Sequence, residues 1–431
     1  MAPTDVAPPD YVASSGALPD YSPSTPSPNY SSRLLQGEEV IEHSRRPSLP
    51  SRIGSYRRIT ERVTVVLNDQ IPGSVQPLYG RLDCIRGYLA IHDATDLVEV
   101  AIKLRGNKGV GLTPYTTVMR TRILEESFTL WEASATPKRC PSMIPFAVIW
   151  PPTFSDAGQT RPLPPSFTCH ALSSFVSYEL IVTLSKRKQL FQRLAKSTNI
   201  CVSIPLSYLP RTRPPAPMIP SELPFLSTVK SSPEEWHQIM HCMQFARNPE
   251  LTPIQCCLFV PAVRTYAFSD VIPFHIQFRT SESSLNLLTG GSHGSLNDGG
   301  IRTRVYLLRR ISTRVYEASR SSAQFVLGEG KITSVSRPVP ARTRCSTRSH
   351  DDDVEDDLLV LDCDGELVCP SDTSDGGPDA IVPTFGITDL VIRDLIVLEL
   401  RIKSSIIGIT HEHPVRLVTD PWTNDPPYEW C

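Results

Sequence analysis

The sequence predicts an all-β protein: two tandem antiparallel β-sandwiches, immunoglobulin-like in character, behind a disordered N-terminal tail. Three observations carry that reading. Val176, Tyr178, Leu180, Val182 and Leu184 alternate strictly with Ser177, Glu179, Ile181 and Thr183, the period-2 pattern of a strand with one face in a core. Similar runs recur at roughly 8 to 12 residue spacing, punctuated by glycine, which is the rhythm of a sandwich. Finally, 41 of 431 residues are proline, near twice the average usage of ~5%. Proline removes a backbone donor and breaks helices, so this content disfavours a helical bundle.

Charge and cysteine narrow the function classes. With 43 basic and 45 acidic residues the net charge is -2, so no global field argues for nucleic acid, and any electrostatic role is local. Eleven cysteines are scattered without framework spacing, and no charged-then-apolar leader precedes them. The expectation is reduced thiols in a cytosolic protein. The apolar run from Leu390 to Ile402 is broken by Arg393, Asp394 and Glu399, short of the ~20 residues a spanning helix needs. Membrane work would therefore be peripheral recruitment, to the plasma membrane or endosomes.

Residues 1–57 are rich in Pro and Ser and poor in large apolar side chains, too little to offset ordering entropy, and read as a disordered tail. Within it Pro8, Pro9 and Tyr11 form a PPxY sequence, and Leu18, Pro19 and Tyr21 repeat its shape; Pro28 and Tyr30 echo it more weakly. WW domains take such peptides because the prolines preform an extended ridge for an aromatic groove, while the tyrosine fills the adjoining pocket. Closely spaced copies also raise effective concentration. Ser48 has Arg45 three residues before it and Pro50 two after, a basophilic phosphosite that fits 14-3-3 recognition of a phosphopeptide. A plain polar linker is the alternative.

Residues 58–210 read as the first sandwich. Val63, Val65 and Leu67 alternate; an extended pair between Leu78 and Ile91 is interrupted by Gly80 and Gly87. Val98 to Leu104 follows, with Gly106 as its expected end. Strands at Thr117 to Trp131 and Phe146 to Trp150 precede the stiff connector Leu163-Pro164-Pro165-Ser166-Phe167, and Asn199 to Ile204 closes the domain. Between the last two strands Lys186, Arg187, Lys188, Arg193 and Lys196 form a basic segment without an acid. It suits acidic cargo tails, phosphates or anionic headgroups, or is a solvated loop or short amphipathic helix.

Residues 211–230 read as a linker and 231–420 as the second sandwich, with a short tail at 421–431. Ser232-Pro233-Glu234-Glu235 is a good capping box, so Glu234 to Gln244 stands open between helix and strand. Val271 to Phe278, Arg302 to Arg310, Ala323 to Ile332 and Ile387 to Ile402 read as strands. In the last, Leu390, Ile392, Ile396, Leu398 and Leu400 share a face with Asp394. Two loop insertions are expected, a Gly/Ser-rich one at 281–300 and one at 337–378 carrying the acidic run from Asp351 to Asp357. Asp425-Pro426-Pro427-Tyr428 lacks the spacer of PPxY and is a poor WW ligand.

The segments Pro145-Phe146-Ala147-Val148, Leu163-Pro164-Pro165-Ser166-Phe167 and Val176-Ser177-Tyr178-Glu179-Leu180 resemble the closing part of an arrestin N-domain, in the α-arrestin (arrestin-related trafficking adaptor) branch. The match covers roughly residues 60–215, and a looser pattern continues to about 420. The resemblance implies an adaptor that connects a membrane transporter or receptor cargo to a WW-domain HECT ubiquitin ligase, promoting cargo ubiquitination and endocytosis. It departs from that branch in its long insertions and in placing the PY-like motifs before the sandwiches. Two rivals share the fold expectation: a sorting or coat scaffold of retromer type, and a phospho-regulated signalling scaffold centred on Ser48.

Motifs for catalysis and cofactors are not expected. His237 and His241 have i, i+4 spacing, but Gln238 stands where a zinc hydrolase needs glutamate. His411 and His413 point to one side of a strand without a third ligand to nominate. Gly109 and Gly111 lack the third glycine of a dinucleotide loop, and Cys256/Cys257 and Cys363/Cys369 lack zinc partners. Gly290-Gly291-Ser292-His293-Gly294, although spaced as GxSxG, falls in the Gly/Ser-rich loop and not between a strand and a helix. The expectation is a non-enzyme with neither metal nor cofactor.

Overall fold

The computed structural model describes residues 52–111, 118–135, 139–186, 199–219, 223–245, 251–291, 296–315, 319–341, 358–369, 382–403 and 408–423, and these are almost entirely β. The chain opens with β1 (Gly54–Ile59), β2 (Val63–Gln70), β3 (Leu78–Tyr79), β4 (Cys84–Ile91), β5 (Leu97–Val110) and β6 (Met119–Glu132). Then come β7 (Met143–Ile149), β8 (Thr153–Asp156), β9 (Gln159–Pro162), β10 (Phe167–Cys169), β11 (Ser174–Lys186) and β12 (Ile200–Tyr208). Helix α1 (Phe225–Ser231) precedes β13 (Trp236–Met243), β14 (Ile254–Pro261), β15 (Thr265–Ala267) and β16 (Val271–Thr280). After helix α2 (Glu282–Thr289) follow β17 (Ile301–Val315), β18 (Ser319–Val335), β19 (Val339–Pro340) and β20 (Leu359–Val368). The chain closes with β21 (Gly386–Ile387), β22 (Leu390–Ile402) and β23 (Gly408–Val418).

Two sheets face each other in the first half, β1-β2-β4-β7 and β3-β12-β11-β5-β6. The inward positions of β11 are Val176, Tyr178, Leu180, Val182 and Leu184, all buried, as the alternation requires. In the second half one large curled sheet runs β13-β14-β16-β20-β18-β17-β22-β23-β15, bringing its two ends back towards each other. The described residues belong to one compact unit, and their buried apolar side chains gather into two large clusters. Strands β17 and β22 feed both. Ile311, Val315, Leu390 and Ile392 belong to the first cluster, while Val305, Leu307, Ile396 and Leu398 belong to the second. A cut between residues 210 and 231 therefore does not divide the packing cleanly.

Several local expectations change. The tail read as 1–57 overlaps β1, which pairs with β2 and sets Tyr56 opposite Leu67 against the core. Strand β5 does not end at Gly106. It continues because the rings of Tyr178 and Phe175 occupy the space a Cβ would take at Gly106 and Gly109, so those glycines admit a neighbour rather than a turn. The open question at 234–244 resolves to a 3-10 turn (Pro233–Glu235) and then β13, held by pairing to β14; Ser232 makes no side-chain cap.

The expected linker contains α1, whose Phe225 ring packs on Trp236 and Phe259. The loop expected at 281–300 contains α2, N-capped by Ser281, and it buries Leu285 and Leu288 in the second cluster. The insertion expected at 337–378 contains β20, an interior strand between β16 and β18. Acidic and small residues flank β20 in sequence, and that local composition masks how deeply its Leu361, Cys363 and Leu367 are buried.

Candidate functional site

Most of the residues singled out by sequence fall outside the described part of the chain: Pro8, Pro9, Tyr11, Leu18, Pro19, Tyr21, Ser48, Arg187, Lys188, Arg193 and Lys196. Lys186 is described, at the end of β11, with its Nζ 3.5 Å from Asp93 Oδ2. Arg62 reaches the same oxygen at 2.6 Å. Hydrogen bonds from Thr95, with Lys186 adding to them, hold the partly exposed Asp93 carboxyl down at about 2. Lys186 is thus already partnered by an acid from the β4–β5 connection.

What the structure brings together instead is a polar seam where the two clusters meet. The β21–β22 turn inserts against the first half. Lys108, only 4% exposed at an interior position of β5, donates from Nζ to the Thr388 carbonyl at 2.5 Å and lies 3.6 Å from Asp389 Oδ2. The Thr388 N–H donates to Asp156 Oδ2 at 2.7 Å, from the β8–β9 hairpin. Asp389 sits at φ 68, a left-handed conformation that aspartate tolerates better than most residues, and takes Arg314 Nε at 3.2 Å. Nearby, Thr313 donates to the Gly111 carbonyl and Arg161 to the Gly386 carbonyl. Every buried charge here has a partner, as burial demands.

Just behind the turn, at the point where β17 and β22 pass from one cluster to the other, Arg309 and Asp394 face each other in register. Both are fully buried. Arg309 Nε donates to Asp394 Oδ1 at 2.8 Å and Nη2 to Oδ2 at 2.9 Å, a bidentate pair. Thr384 donates to Asp394 Oδ2 at 2.5 Å and in turn accepts the Leu417 N–H at 2.7 Å. Arg309 Nη1 has no partner. An aliphatic pair would fill this slot at lower desolvation cost, so the bidentate pairing of in-register residues suits a register device better than a stabilising contact. Asp394 was visible in sequence as the one charge on an apolar face. Nothing local marked Arg309 as its partner, or Lys108 and Asp156 as partners of the β21–β22 turn.

Two histidine-centred sites lie elsewhere in the second half. His275, on β16, is 1% exposed; its Nδ1 meets Asp364 at 2.8 Å and its Nε2 meets Asp362 at 3.2 Å, while Phe225 stacks on the ring at 3.8 Å. Burial opposes its charge, but the two carboxylates outweigh it and lift the imidazole above its ordinary value. On the opposite flank His237 and His241 of β13 meet His413 and His411 of β23, so the pairs that stood alone in sequence become one group. Among the described residues no three His, Cys, Asp or Glu side chains converge as a metal site. Nor is any helix there long and apolar enough to cross a membrane.

A shallow cleft of about 470 Å³ is lined by Arg302, Arg304, Glu329 and Ser334, but Arg304 is already tied to Glu329 and Glu399. A scan against models of protein families finds no match to the chain, and a search of curated proteins finds none either.

Proposed function

We propose that the chain is an adaptor of arrestin type, in which joined β-sandwiches present a steady surface to membrane cargo while the leading segment engages a WW-domain HECT ubiquitin ligase. The observation that carries this reading is the seam. Lys108 and Asp156 of the first half hold Thr388 and Asp389 of the second by charged contacts across the fold, and the buried Arg309–Asp394 pair bridges β17 and β22 where they cross between the cores. A frame of that kind suits partner binding, since an interface already ordered before contact loses less entropy when it forms. Pro8, Pro9 and Tyr11, with Leu18, Pro19 and Tyr21, supply the ligase contact, and the basic segment from Lys186 to Lys196 supplies a cargo or headgroup contact.

The test is capture of isolated HECT-ligase WW domains by the full chain. Wild type is expected to retain them, and Tyr11→Ala with Tyr21→Ala to lose them. Equal capture by both would remove the ligase arm. A second reading, a retromer-like sorting scaffold, is favoured by the strands that run through both clusters, because a coat subunit needs a stiff frame. A stoichiometric partner that survives deletion of residues 1–51 would select it; the deletion stops there because β1 begins at Gly54. Ser48→Ala, if it abolished partner binding while WW capture persisted, would point instead to the 14-3-3-linked signalling scaffold.

A further inference from the structure

Strand β13 ends one side of the curled second sheet, and β23 lies next to the other end, where β15 covers only residues from Arg416 onward. Among the described residues the stretch of β23 before that is therefore an open edge, as β13 is. Side chains close the gap. Inward positions of β13 are His237, Ile239, His241 and Met243; those of β23 are His411, His413, Val415 and Leu417. The apolar members are buried in the second cluster, so the four imidazoles occupy slots where a sandwich ordinarily places aliphatic residues.

Their geometry suits neutral rings. His241 Nε2 lies 2.6 Å from His411 Nδ1, a hydrogen bond that requires one of the two nitrogens to lack a proton. Their ring centroids are 4.6 Å apart, and those of His237 and His413 are 4.7 Å apart. His413 is 3% exposed and its Nε2 has no partner. Arg264, in the β14–β15 turn, places Nη2 3.2 Å from His237 Nδ1, a fixed positive charge beside the group. Opposite His237 and His241 on β14 stand Val260 and the buried Cys256, whose thiol burial keeps neutral; opposite His413 and His411 on β22 stand Ile396 and Leu398. Glu412 points to the other face of β23 and is engaged by Arg310. Thus among the described residues no free carboxylate faces the imidazoles, in contrast to His275 with its two.

We propose that this group is an acid-sensitive latch: neutral imidazoles hold β13 against β23, and proton uptake forces the two open edges apart. Two imidazolium ions cannot share the His241–His411 hydrogen bond, and charge on His237 or His413 meets Arg264 or burial without a counter-ion. The flank that opens would expose Ile239, Met243 and Val415. In keeping with this, burial and the neighbouring cations push His413 down to about 4, and burial also lowers His237 and His411.

Hydrogen exchange of the full chain, corrected for intrinsic rates, tests the latch at about pH 7.5 and about pH 5.5. Protection of β13 and β23 is expected to fall at the lower pH by on the order of tenfold per proton taken up, while β11 keeps its protection. In His241→Gln with His411→Gln the amides preserve a hydrogen bond without titrating, and the acid loss should shrink by about tenfold. Unchanged protection in wild type, or the same loss in the double variant, overturns the proposal. Should that variant fail to fold, judged by β11, Arg264→Gln serves: removing the fixed charge lets the closed group carry a proton more readily and should shrink the acid loss by about threefold, and an undiminished loss counts against the latch.

Discussion

The two halves bury different chemistry. In the first, Trp150 lies in a nest of tyrosines: Tyr208 stacks on it at 4.8 Å, Tyr79 stacks at 5.6 Å, and Tyr178 meets it edge-on at 5.3 Å. Away from the seam, where Lys108 and Asp156 are buried, the β1–β12 core is held by apolar area and ring packing, neither of which needs a partner charge. The second half buries Arg309 with Asp394 and His275 between two aspartates. Its integrity is conditional, because each buried ion is tolerable only while its counter-ion stays in place. Aromatic packing degrades gradually under perturbation, whereas a buried ion pair fails when one member goes.

The largest test of that contrast is Asp394→Ala, which strands the Arg309 guanidinium in the core. A loss of about 4 kcal/mol is expected in urea unfolding, whereas Arg309→Met with Asp394→Leu should lie within about 1 kcal/mol of wild type or above it. If the single and double variants were equally destabilised, the pair would be a stabilising contact and not a register device.

Next in size is the response to pH. His413 is depressed in the fold, so below the ordinary histidine value of 6.5 the unfolded chain binds the proton first. Its contribution is present above about 6.5 and lost as pH falls towards about 4, a total of about 3 kcal/mol. His275 behaves oppositely: its raised value makes its contribution complete below the ordinary histidine value and lost as pH rises through the folded one. Urea midpoints between about pH 7 and about pH 4.5 should therefore decline on the acid side, and His413→Leu should flatten that decline. A slope equal to wild type in His413→Leu would place the acid sensitivity elsewhere.

The smallest effect belongs to the first half. Tyr178 donates to the Pro164 carbonyl at 2.6 Å, so Tyr178→Phe should cost about 1 kcal/mol by urea unfolding, with the same change at every pH tested from neutral to mildly acid. A pH-dependent cost would blur the distinction between the halves.

How much was legible in sequence can be judged residue by residue. The alternation of Val176 to Leu184 identified β11 and its buried face, and the rigid Leu163 to Phe167 connector was read where the chain turns into β10 and β11. Asp394 stood out as a charge on an apolar face. The 281–300 and 337–378 regions were misread because glycine, serine and aspartate are local signals of loop, while α2 and β20 draw their order from distant neighbours. His237, His241, His411 and His413 looked like two unrelated pairs because the curl that joins them depends on every strand between.

Strand period and buried face were determined by the chain itself, since the spacing of side chains along a pleated backbone is a property of adjacent residues. Which charge meets which was decided only by tertiary structure: Arg309 finds Asp394, Lys108 finds Thr388 and Asp389, and His241 finds His411 through register across sheets. The reason is physical. A buried ion is paid for by whatever the folded chain carries to within about 3 Å of it, and separation along the sequence does not encode that distance.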